Sequence, residues 1–223
     1  ILYSFDKNIN NSNIPEYDIK RDLRFEDGTM NVQTLRTMQY HEFFSGTQWP
    51  RMDYNLPPGV AFKLNSKFGI DQNAHYVNRS DSIIIGEVFT NIHTVDRSEV
   101  EKVANIINWS NQEILLPPRK VTTLNKSFIT NAPIYIGQLF SHAHEKMTEF
   151  VVKIKGGERN GELVYWTDDW EHPPIINYDP PIQLNNGEGL ELIATYDNQE
   201  DRFITFGFLS TDEMMILFGW FYK

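Results

Sequence analysis

Phe150-Val-Val-Lys-Ile-Lys-Gly-Gly-Glu-Arg-Asn-Gly-Glu-Leu-Val-Tyr-Trp166 is the stretch of the chain that decides its fold class. Its two ends are rich in β-branched and aromatic residues, and the segment between them, residues 156–161, contains three glycines. β-Branched and aromatic residues favour pleated strands, and a glycine-rich turn between two such runs is typical of a β-hairpin. The stretch therefore predicts two antiparallel strands joined by a tight loop.

The same kind of pattern extends over much of the chain. Residues 189–196 alternate between apolar and polar side chains, residues 203–208 follow after a polar turn, and residues 214–222 are apolar on both faces. Residues 82–93 are β-branched and apolar with polar flanks, which predicts a buried strand. Many short strands separated by turn residues predict an all-β fold.

Only two segments have a helical character, and one segment suggests a domain boundary. Residues 98–107 begin with a serine and have helical apolar spacing, which predicts a short helix or helical turn, whereas residues 32–43 are ambiguous. Leu116-Pro-Pro-Arg119 divides the chain roughly in half. We therefore predict two tandem antiparallel β-sandwich domains of jelly-roll type, residues 1–116 and residues 119–223.

Composition excludes several classes of function. Hydrophobic residues make up 40% of the 223 residues, and the formal net charge is −10 without a basic stripe, so we expect a globular protein without nucleic-acid partners. The chain has no cysteine, which excludes disulfides, thiolate metal sites and cysteine nucleophiles. No apolar run reaches transmembrane length, so no membrane span is expected. The oligomeric state stays open.

Two short motifs have the chemistry of a copper site. In His142-Ala-His144 the two imidazoles would point to one face of a strand, because residues two apart share a face. The Met214-Met215 pair could add a thioether, and nitrogen with soft sulfur favours copper. The two methionines alternate faces, so only one can be a ligand, and either could instead be core filler. His75 beside Tyr76 is a further candidate ligand or a satisfied core pair.

Seven pieces of the chain, taken in order, resemble the copper type II, ascorbate-dependent monooxygenases, the group of the peptidylglycine α-hydroxylating and dopamine β-monooxygenases, and especially their bacterial members. The match runs from about Gly46 onward. The pieces are Gly46-Thr-Gln-Trp-Pro50, Leu56-Pro-Pro-Gly-Val-Ala61, Asn73-Ala-His-Tyr76, Phe140-Ser-His-Ala-His144, Ile182-Gln-Leu-Asn-Asn-Gly-Glu-Gly-Leu-Glu-Leu192, Tyr196-Asp-Asn198 and Ser210-Thr-Asp-Glu-Met214.

The resemblance implies a fold, an activity and a set of ligands. The family has two β-sandwich domains with one copper ion each and hydroxylates a substrate C–H bond with O2 and ascorbate. It implies that His142, His144 and Met214 are the catalytic copper ligands, where O2 and a small-molecule substrate react. His75 would be one ligand of a second, all-histidine copper site. The implied location is extracytoplasmic, either periplasmic or secreted.

The chain departs from the family pattern at three places. The family's second site also uses an adjacent His-His pair, which this sequence lacks, so we expect the chain either to begin after that pair or to descend from a branch without it. Phe140 stands where peptide-processing members carry a carboxylate-binding arginine, and Phe218 stands where they carry a tyrosine. These differences predict a substrate other than a peptide carboxylate.

Two other readings of the sequence remain. The protein could be a non-catalytic copper-binding or ligand-binding protein on the same scaffold. It could also be a β-sandwich that binds carbohydrate through Trp49, Trp166 and Trp170. The acidic turn that contains Asp168 and Asp169 could supply paired carboxylates, although a solvated turn explains it more simply.

Overall fold

The computed structural model of the chain is all-β, and it describes residues 1–6, 19–53, 55–65, 68–74, 76, 78 and 80–223. Among these residues there is one α-helix, α1 (Val32–Met38), and a 3-10 turn at Arg97–Glu99. The strands are β1 (Leu2–Asp6), β2 (Glu42–Ser45), β3 (Val60–Phe62), β4 (Phe68–Gln72), β5 (Lys102–Ser110), β6 (Leu115–Leu116), β7 (Lys120–Ile129), β8 (Ile134–His142), β9 (Met147–Lys155), β10 (Leu163–Thr167), β11 (Ile176–Leu184), β12 (Gly189–Asn198), β13 (Ile204–Thr205) and β14 (Ile216–Tyr222).

Two sheets enclose the main hydrophobic core. One has the strand order β10-β9-β12-β7 and the other the order β11-β8-β14-β5-β3. Apolar side chains from both sheets, among them Phe150 and Leu192 from the first and Ile136 and Leu217 from the second, form one buried cluster. All pairs in these sheets are antiparallel except β3 with β5. This arrangement is a β-sandwich.

The hairpin predicted over residues 150–166 is confirmed. β9 and β10 pair antiparallel, and Gly156, Gly157 and Gly161 all have positive φ in the turn between them. Only glycine adopts such angles without strain, so these residues allow the chain to reverse here. β12 shows the predicted alternation, since every second side chain from Leu190 to Asn198 is buried.

The pairing of β8 with β14 positions the candidate site. Phe218 lies opposite Phe140, and Ile216 lies opposite His142, the last residue of β8. Leu217 and Leu139 point into the sandwich core, whereas their strand neighbours lie on the opposite face of the sheet. The end of β8 therefore presents His142 on the face away from the core.

Two predictions of local structure need correction. In residues 98–107 the predicted helical turn is present at Arg97–Glu99, but no short helix follows it: residues 102–107 belong to β5, because pairing with β14 overrides the weak helical spacing. Residues 82–93 show no strand pairing in the structure, and Ile83 and Ile85 are 97% and 89% exposed. A β-branched run indicates strand propensity, but it does not specify a partner strand.

The chain divides into two compact units whose limits differ from the predicted boundary at residues 116–119. One unit is Ile1–Thr47 with Lys63–Asp96, and the other is Gln48–Phe62 with Arg97–Lys223. Long-range pairing explains the difference, because β5 joins the sheet of β14 and β6 pairs with β13. A proline-rich segment thus marks a connection between strands of one unit rather than the limit of a unit.

The described part of the first unit contains a three-stranded sheet, β2-β1-β4, and α1, which falls within the ambiguous residues 32–43. Asp71 of β4 pairs with Arg21 and with His41, whose Nε2 lies 3.1 Å from the carboxylate. The hydrogen bond from His41, together with Arg21, holds the pKa of Asp71 below its usual value despite partial burial. No helix among the described residues is long and apolar enough to cross a membrane.

Candidate metal centre

His142 and His144 come together at the end of β8. Their ring centroids are 5.3 Å apart, and the ring planes are nearly perpendicular at 86°. Ala143 between them is buried in the sandwich core, so the two imidazoles lie on the other side of the chain. The predicted alternation is therefore present, although only His142 belongs to the strand and His144 lies just beyond it.

The Nδ1 atom of His144 lies 2.9 Å from the main-chain carbonyl oxygen of Asp212. A carbonyl oxygen can only accept, so Nδ1 must carry the proton and donate this bond. In the neutral ring the lone pair then belongs to Nε2. Histidines that bind metals usually donate their other ring N–H to a carbonyl or carboxylate in this way.

The ring of His142 is oriented by a side chain from a distant part of the sequence. Its Nδ1 lies 2.9 Å from Oε1 of Gln48. The amide nitrogen of Gln48 donates to the carbonyl oxygen of Trp170 at 2.8 Å, which fixes the amide orientation with its oxygen towards His142. His142 therefore also donates from Nδ1, and the lone pair of its neutral ring belongs to Nε2.

Met214 lies two residues before β14, where the antiparallel register that pairs Ile216 with His142 would place it opposite His144. Met214 is buried but is not part of the sandwich core, whereas Met215 belongs to that core, and the amide of Asn111 lies 3.6 Å from the Met215 sulfur. The two side chains thus point to opposite faces, as predicted. The position of Met214 makes it the methionine on the histidine side of the sheet.

Glu213 is a fully buried carboxylate between these segments. It accepts main-chain hydrogen bonds from His144 at 3.0 Å, Lys146 at 2.8 Å and Met214 at 3.1 Å. Burial raises the pKa of Glu213 to about 7, against the opposing effect of these N–H donors and of the Lys146 charge. Burial and the nearby Glu213 also raise the pKa of Tyr196, whose hydroxyl donates to the carbonyl oxygen of Met214 at 2.8 Å.

Sequence reasoning missed the roles of Gln48, Glu213 and Tyr196. All three lie inside the motifs that carry the family resemblance, and their place in these motifs was the only sequence signal that pointed to them. A motif match does not show which residues contact each other. Gln48 is 94 positions from His142, and Glu213 is 69 positions from His144.

The donor set suits copper. The described residues contain no group of three or more His, Cys, Asp or Glu side chains arranged to hold a metal ion. The candidate set is instead His142, His144 and Met214, which offers two imidazoles and a thioether. Imidazole binds both oxidation states of copper, and a thioether favours the softer Cu(I), so the residues present fit this ion.

The other predicted site residues lie elsewhere or outside the described residues. His75 is one of the residues that the structure does not describe, so its proposed ligand role stays a prediction. The acidic turn is organised by Asp169, whose carboxylate accepts the main-chain N–H groups of Glu171 and His172. This contact explains Asp169 as a turn-forming residue.

The three tryptophans of the carbohydrate-binding alternative have separate environments. Trp49 contacts the ring of His172 and donates to the carbonyl oxygen of Pro173. Trp166 donates to Glu149 on β9, and Trp170 packs against the sandwich core. Trp49 and Trp166 keep 41% and 46% of their surface exposed, and the carbohydrate-binding alternative stays a prediction.

No model of a known protein family matches the sequence, and no curated protein matches it either.

Proposed function

We propose that the protein is a copper-dependent monooxygenase that hydroxylates a substrate C–H bond with O2 and a reductant such as ascorbate. The observation that carries this proposal is the pair of Nδ1–H donors at His142 and His144. Both rings direct their protons to carbonyl-type oxygens and keep the Nε2 lone pairs for a metal ion. Met214, in the segment before β14 and on the same side of the sheet, supplies a soft third donor.

Copper, when bound, supplies the one-electron redox chemistry that activation of O2 requires. In the overall reaction one oxygen atom enters the substrate as a hydroxyl group, the other leaves as water, and ascorbate provides the electrons. Within the chain, His142 and His144 bind and orient the ion, and the Met214 thioether stabilises its reduced state. We also propose an extracytoplasmic location, as the family resemblance implies.

The surroundings of His142 favour an uncharged group on the substrate. Phe218 lies 6.2 Å from the His142 ring, and Phe140 lies 5.4 Å from Phe218, measured between ring centroids. These side chains occupy the positions where peptide-processing members of the family have a tyrosine and an arginine. An apolar aromatic pair does not stabilise a carboxylate, which supports the proposal of a substrate other than a peptide carboxylate.

The second candidate is a copper-binding protein without catalytic activity on the same scaffold. The observation that favours it is the ligand set itself, because two imidazoles held through their Nδ1–H groups and a thioether account for copper binding without a second, electron-supplying site. This candidate keeps the same three ligands but consumes no ascorbate.

The purified wild-type protein distinguishes these candidates. We expect it to take up one equivalent of Cu(I) in competition with a chromogenic chelator and to bind Cu(II) with a nitrogen-rich electron paramagnetic resonance spectrum. Copper-dependent O2 uptake with ascorbate, above that of free copper, supports the monooxygenase. Copper binding without such uptake supports the second candidate, and absence of copper binding overturns both.

Replacing Gln48 by leucine tests the orientation of the His142 ring. Leucine is close to glutamine in size but cannot accept the Nδ1–H bond, so the ring loses the contact that fixes its tautomer. Loss of such a partner typically lowers metal affinity by about 10- to 100-fold. Competition titration with Cu(I) measures the effect.

Gln183→Leu is the control for this substitution, since Gln183 lies on the exposed side of β11 and donates to Asn185. We expect its copper affinity to equal that of the wild type. Equal affinities of the Gln48 and Gln183 variants would contradict the role of Gln48.

A further inference from the structure

A single side chain, Glu213, joins the two segments that carry the candidate ligands. Its Oε2 atom accepts from the main-chain nitrogens of both His144 and Met214, at 3.0 and 3.1 Å. Its Oε1 atom accepts from Lys146 at 2.8 Å. One carboxylate thus fixes the turn after β8 to the segment before β14.

We propose that Glu213 is a positioning residue that assembles His144 and Met214 into a ligand set before any metal binds. This inference rests on the proposed function, because it assigns Glu213 a role at that same copper site. Glu213 acts through the main chain of its neighbours and does not itself bind the metal.

The main-chain bonds of Met214 show why this segment needs such a residue. Met214 lies outside β14, and its N–H and carbonyl groups are bonded by the side chains of Glu213 and Tyr196. A buried amide without a partner costs about 1–3 kcal/mol. Side chains therefore replace the missing strand partner, and the position of Met214 depends on them.

The turn that carries His144 is held in the same way. Besides the bonds from this turn to Glu213, two further hydrogen bonds hold it. The carbonyl oxygen of Lys146 accepts from the main-chain nitrogen of Asp197, and the His144 ring donates to the carbonyl oxygen of Asp212. The main chain of Glu213 is itself fixed, since it exchanges hydrogen bonds with Thr205 and Gly207. The carboxylate thus projects from a held backbone into a held turn.

Glu213→Gln tests the proposal, because it keeps the shape but replaces one acceptor oxygen by an N–H donor. We expect Cu(I) affinity to fall by about 10- to 100-fold, as for other residues that orient ligands. We also expect the sulfur contribution to the Cu(I) X-ray absorption spectrum to weaken, since Met214 is no longer fixed relative to His144. A merely structural role would leave this spectrum unchanged.

Asn198→Ala is the matched control. Asn198 is also fully buried, and its side chain donates to the main-chain oxygens of Leu116, Pro117 and Arg202, away from the candidate ligands. We expect a lower melting temperature for this variant, with copper affinity and spectrum as in the wild type. If Glu213→Gln melts lower but binds copper with wild-type affinity and spectrum, the positioning role is overturned.

Hydrogen exchange of the metal-free wild type keeps the inference testable even if Glu213→Gln does not fold. We expect slow exchange of the His144, Lys146 and Met214 amides, which lie outside strands but are bonded to the carboxylate. Fast exchange of these amides in the folded protein overturns the inference alone. Absence of copper uptake by the wild type overturns the proposed function, and the inference with it.

Discussion

Replacing either His142 or His144 by alanine is expected to abolish specific copper binding. Each substitution removes one of two imidazoles and leaves a single nitrogen donor with a thioether. If the free energy of a protein metal site is shared among its ligands, each contributes about 4 kcal/mol, or roughly a thousandfold in affinity. Competition titration with Cu(I) and the nitrogen hyperfine structure of bound Cu(II) measure the loss.

The two variants are also expected to remain folded. His142 ends β8 and His144 lies beyond it, and neither belongs to the buried cluster between the sheets. Their melting temperatures without metal should therefore lie close to that of the wild type, whereas the increase on adding copper should disappear. Bound copper stabilises only the folded state that holds it.

His172→Ala is the control for a histidine outside the ligand set. His172 lies on the loop that follows β10, where its ring contacts Trp49. Its replacement by alanine therefore removes an imidazole but leaves His142 and His144 in place. Copper affinity should equal that of the wild type. If all three histidine variants bind copper equally, the site lies elsewhere and the assignment of His142 and His144 is wrong.

The sequence predicted the elements whose signal is local. The hairpin of β9 and β10 and the alternation of β12 follow from residue types within a few positions, and both are confirmed. The two-residue spacing of His142 and His144 is also local, and the structure brings their rings together. For these features the strand propensity of nearby residues and the two-residue spacing of side chains are sufficient to predict the local structure.

The features that sequence could not predict depend on partners far along the chain. β5 is a strand because β14 pairs with it, although its first residues lie in the segment 98–107, whose spacing predicts a short helix or helical turn. The same pairing moves β5 into the second unit, so the proline-rich segment after β6 does not separate the units. Gln48 and Glu213 likewise act through contacts that no local pattern encodes.

Replacing Met214 by leucine is expected to lower Cu(I) affinity far more than Cu(II) affinity. Leucine keeps the volume of methionine, so the fold should change little, with a cost below about 1.5 kcal/mol. The thioether is a soft donor that favours the reduced ion, and its loss should weaken Cu(I) binding by about a hundredfold and Cu(II) binding by less than about tenfold. Because Cu(I) binding weakens more than Cu(II) binding, the bound Cu(I) becomes easier to oxidise.

Met215→Leu provides the matched control because the two methionines are adjacent but face opposite sides of the sheet. Met215 lies in the sandwich core with its sulfur near the Asn111 amide, so its replacement changes core packing and not the ligand set. We expect a small change in melting temperature and no change in either copper affinity. If Met215→Leu, rather than Met214→Leu, lowers Cu(I) affinity, the sulfur donor comes from the core face, and the register that places Met214 opposite His144 is wrong.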